Sequence, residues 1–70
     1  MDKHLKGYIF DSLVYRFKDY QSRAFDIEVL DYKNRRDSTE LDARAIVQDR
    51  HNRDLMRFIE ILNEAIGEHD

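Results

Sequence analysis

His51 and Asp54 stand three residues apart, a spacing that sets two side chains on one face of an α-helix, and together they have the chemistry of a site. A carboxylate beside an imidazole can hold its proton and make a pH-sensitive contact, or the two can give a pair of ligands to a metal shared between copies. Two ligands do not complete a metal centre. A His–Asp pair in a polar layer or in solvent is the simpler expectation. Gln48 and Asn52, one helical turn apart, suggest a second role, because an amide inside a helix seam fixes register: a slipped pairing would bury it without hydrogen bonds. Arg50, Arg53 and Arg57 form a row that could straddle phosphates, but Asp49, Asp54 and Glu60 interleave it. An ion-paired, solvated face is therefore expected, with nucleic-acid binding through these three arginines as an alternative. His4 and His69, near the two ends, are expected to be exposed.

Catalysis finds no support in the residue types. The chain has no nucleophile with a neighbouring base, no glycine-rich phosphate loop and no carboxylate pair in a pocket-forming context. The expectation is a protein that is not an enzyme and that uses no cofactor and no metal.

The elements that carry these residues are written in apolar spacing. Phe10, Leu13, Phe17, Tyr20, Ala24 and Ile27 recur at alternating steps of three and four. So do Leu41, Ala45, Gln48, Asn52, Leu55, Ile59, Leu62 and Ile66, which is the pattern of one helical face. Folding the chain back near Arg36, so that paired positions sum to about 72, sets Phe17 opposite Leu55, Leu13 opposite Ile59, Phe10 opposite Leu62 and Tyr20 opposite Asn52. Proline is absent and the two glycines, Gly7 and Gly67, lie near the ends, so long uninterrupted helices are expected. Asp2 is a candidate first cap and Gly7 a weak point. Asn34 can end the first helix in a left-handed conformation, and Asp37 with Glu40 resembles a capping box that opens the second. The spacing thus predicts one domain over residues 1–70: helix one about 3–33, a turn at 34–37, and helix two about 38–66. Acid-first pairs four apart support both helices: Asp19 with Arg23, Asp31 with Arg35, Glu40 with Arg44 and Asp49 with Arg53. Arg50 with Asp54 is a reversed pair. A strand over Phe25–Val29 is the rival reading, weakened because Lys18–Ser22 lacks the Gly, Pro or Asn that a hairpin reversal needs.

A second line lies about a quarter-turn from the first. On helix two it runs through Val47, His51, Asp54, Phe58, Ile61 and Ala65, and on helix one through Val14, Gln21, Phe25 and Tyr32. A lone hairpin buries one stripe per helix, so the second predicts a covering partner. The simplest solution is an all-α, antiparallel two-helix hairpin that dimerises into a four-helix bundle, although a different helical chain would serve as a structural partner. Tyr8 and Tyr15 lie off both lines and suit contact with another protein, since a tyrosine ring adds contact area at low entropic cost. The expected partner-binding set is Tyr8, Tyr15, Val47, His51, Asp54, Phe58 and Ile61.

Bulk composition agrees. Seventy residues, 41% hydrophobic and 39% charged, with no cysteine, must draw stability from helix packing, and self-association is the usual supplement at this size. A net charge of −3 gives no general attraction to nucleic acid or an anionic membrane. With neither a long apolar run nor a signal-peptide pattern, a cytoplasmic regulatory or interaction module, acting by protein–protein contact, is expected.

Overall fold

A computed structural model of the chain describes residues 3–67. Two helices, α1 (Lys3–Arg36) and α2 (Glu40–Gly67), pack antiparallel as a hairpin 50 × 17 × 14 Å in extent. Residues 25–29 are helical, so the strand alternative is excluded. The helix runs through Gly7 without a break, while Asp2 and His69 lie outside the described residues.

The reversal is shorter and later than the spacing predicts. α1 continues through Asn34, and Asp37 takes the left-handed conformation with φ 51°. The Ser38 amide then reaches back to the Lys33 carbonyl at 3.3 Å, the closing bond of a Schellman cap. Lys33, Arg35 and Arg36 favour this later end, because cations in the last turn complement the negative end of the helix dipole. The cap of α2 is Thr39, not Asp37: its hydroxyl accepts from the Asp42 amide at 3.2 Å, and its carbonyl takes the first helical bond, from Ala43 at 3.0 Å. Glu40 and Asp42 occupy the positive first turn.

The seam is turned from the one expected. At the turn end the core consists of Val29, Ala43 and Val47, with Phe25 and Tyr32 packed against it. The small Ala43 leaves room for the two rings, and Val47 is 0% exposed. At the open end Phe17 stacks on Phe58 with centroids 4.4 Å apart and planes 4° from parallel, and Leu62 is buried. Phe17 therefore meets Phe58 rather than Leu55. Leu13, Tyr20, Ile27 and Leu41 of the first stripes are left exposed. The expected pairing would have placed Gln48 and Asn52 at the centre of α2's face, two amides to satisfy in an apolar seam. The observed rotation leaves both in solvent, where Gln48 Nε2 donates to Asn52 Oδ1 at 3.1 Å.

Candidate functional site

The polar centre of the hairpin is built around His51. The antiparallel register brings Gln21 and Glu28, on the inner side of α1, to this one residue of α2. Gln21 Nε2 donates to the His51 carbonyl at 2.8 Å, a bond buried between the helices. His51 is only 7% exposed; its Nε2 lies 2.6 Å from Glu28 Oε2, and the Phe25 ring meets its ring edge-on at 5.7 Å. A carboxylate only accepts, so the imidazole Nε2–H is the donor. The Glu28 side chain keeps 40% of its surface in water, so its charge is hydrated while its hydrogen bond points inward.

This geometry corrects the sequence-based assignment of the imidazole's partner. Asp54 is exposed, and the group facing the ring is Glu28 across the seam. Gln21 could have been found from the sequence, because a fold-back sum of 72 also pairs it with His51. Glu28 could not, since a long side chain reaching diagonally obeys no register rule. Tyr20, expected opposite Asn52, points to solvent at 66% exposure.

Three members of the expected partner-binding set belong inside the hairpin: Val47 in the core, His51 in the polar layer and Phe58 in the aromatic stack. The part of the second line that runs through Val47, His51 and Phe58 is intrachain seam. Tyr8, Tyr15, Asp54 and Ile61 are exposed. Tyr8 and Tyr15, with Asp11, Ser12 and Arg16, line a shallow surface depression of about 410 Å³.

The arginine row is largely engaged at home. Arg53 pairs with Asp49, and Arg50 lies over the Tyr32 ring at 5.5 Å in place of the expected pair with Asp54. Arg44 sits similarly over Phe25 at 5.8 Å and within 3.8 Å of Glu40. The Asp19–Arg23 and Asp31–Arg35 pairs form at 3.1 and 3.0 Å. Beside the His51 layer runs an open groove of about 540 Å³ between Lys18, Ser22 and Asp26 on α1 and Gln48, Asn52 and Leu55 on α2. Its lining mixes both charges with amides.

Among the described residues no group of three His, Asp or Glu is placed to hold a metal, and no helix is long and apolar enough to cross a membrane. What the arrangement does chemically is satisfy a buried imidazole and fix the helix register. Comparison with protein-family models, curated proteins and solved structures finds no match to this chain.

Proposed function

We propose that this chain is a non-enzymatic interaction module that works as a homodimer of helical hairpins, a four-helix bundle, and offers its Tyr8–Tyr15 edge to another protein in a regulatory role. One observation carries the reading: the single chain leaves too much surface uncovered. It exposes 5859 Å², whereas a compact monomer of 8.5 kDa exposes about 4,650 Å². The excess of about 1,200 Å² exceeds the ~800 Å² that each partner gives up in a standard interface. Leu5, Leu13, Ile27, Leu30, Met56 and Ile61 are among the large hydrophobic side chains left exposed. A second copy is the partner always present at the chain's own concentration.

Sedimentation equilibrium at micromolar concentration tests it. The expected mass is twice 8.5 kDa. A stable monomer across that range overturns the homodimer.

A further inference from the structure

We propose that the dimer forms through the outer seam of α1, with the twofold axis passing beside Tyr20 so that Leu13 of one copy meets Ile27 of the other. The proposal rests on the homodimer reading above and adds where the second copy sits.

At 100° per residue, Ile9, Leu13, Tyr20 and Ile27 fall within about 40° of one another and about a third of a turn from Gln21 and Phe25, which face α2. Leu13, Tyr20 and Ile27 are all exposed, Ile27 at 73%. Their seven-residue steps keep them in line over four turns, the spacing that lets one helix lie along another. The other exposed apolar residues of α1, Leu5, Tyr8, Tyr15 and Leu30, spread over about 80°. The exposed apolar residues of α2, Leu41, Ile46, Met56 and Ile61, scatter around that helix at the same 100° advance.

One feature selects a second copy over a different chain. Leu13 and Ile27 lie equally far from Tyr20, so an antiparallel twofold partner returns apolar to apolar at both ends and ring to ring at the centre. A twofold contact requires such self-complementarity, and a foreign helix does not.

The chain has no cysteine, so single-cysteine variants give a clean readout. At the twofold point a residue meets its own copy within disulfide range. Tyr20→Cys is expected to form a covalent dimer on mild oxidation on the order of tenfold faster than Tyr15→Cys, which lies on another face. Ile27→Glu is expected to halve the sedimentation mass while keeping the helical circular dichroism signal, because the side chain is solvent-exposed in the single hairpin. A wild-type dimer in which Tyr20→Cys links no faster than Tyr15→Cys, and Ile27→Glu keeps its mass, overturns this seam and leaves the homodimer standing. A wild-type monomer overturns both.

Discussion

Burying an imidazole removes its hydration, and the cost is recovered only where a partner takes its hydrogen bond. His51 has such a partner in Glu28 at 2.6 Å, and its own carbonyl receives Gln21 at 2.8 Å. Removing one member of this layer strands another. Glu28→Ala is expected to lower unfolding stability by about 1 kcal/mol, the modest figure reflecting water's access to the carboxylate. Replacing both groups, Glu28→Leu with His51→Leu, should cost less than the separate changes added together, because no polar atom is then left unpaired. Urea unfolding of the two single variants and the double variant measures this. Additive losses would show that the two side chains do not interact. The sequence singles out His51 but names Asp54 as its partner, since spacing along one helix shows neighbours on that helix and nothing of a side chain reaching over from another.

The helices themselves were legible. Unbroken three-and-four spacing, the absence of proline and the acid-first ion pairs all agree with α1 and α2, and the fold-back sum of 72 is met at Gln21 and His51. Rotation about the helix axes was not legible, because each helix carries two apolar lines and spacing alone does not rank them. What ranks them is local: the small Ala43 and Val47 admit Phe25 and Tyr32 beside the turn, and the amides Gln48 and Asn52 stay in water. The turn is the sharper test at this scale. Asp37, at φ 51°, sits where a side chain is disfavoured, whereas Asn34 lies inside the helix. Asp37→Gly is therefore expected to raise stability by about 1 kcal/mol, and Asn34→Gly to lower it by about 0.5–1 kcal/mol. Thermal unfolding of the pair decides between a helix that ends at Arg36 and one that ends before Asn34, for which the signs would be exchanged.

At the scale of the whole molecule the question is what a hairpin with so few buried apolar side chains among its described residues, Val29, Ala43, Val47 and Leu62, uses to stay folded. A core this thin in a 70-residue chain sits near the margin at which burial only offsets chain entropy. If a second copy supplies further burial, association is linked to folding, and mass action then acts on stability itself. For two chains unfolding together, the enthalpy near 60 °C is about 100 kcal/mol by the usual per-residue value. A tenfold rise in protein concentration should then raise the unfolding midpoint by about 5 °C. A monomer has no such dependence, whatever its stability. The midpoint measured by circular dichroism over a hundredfold range of concentration should climb by about 10 °C, and a flat line would mean that the hairpin holds itself together without its copy. Ile27→Glu connects this scale to the seam: in the dimer proposed here it should lower the midpoint and flatten its concentration dependence together, because a charge there opposes association while leaving the intrachain core intact.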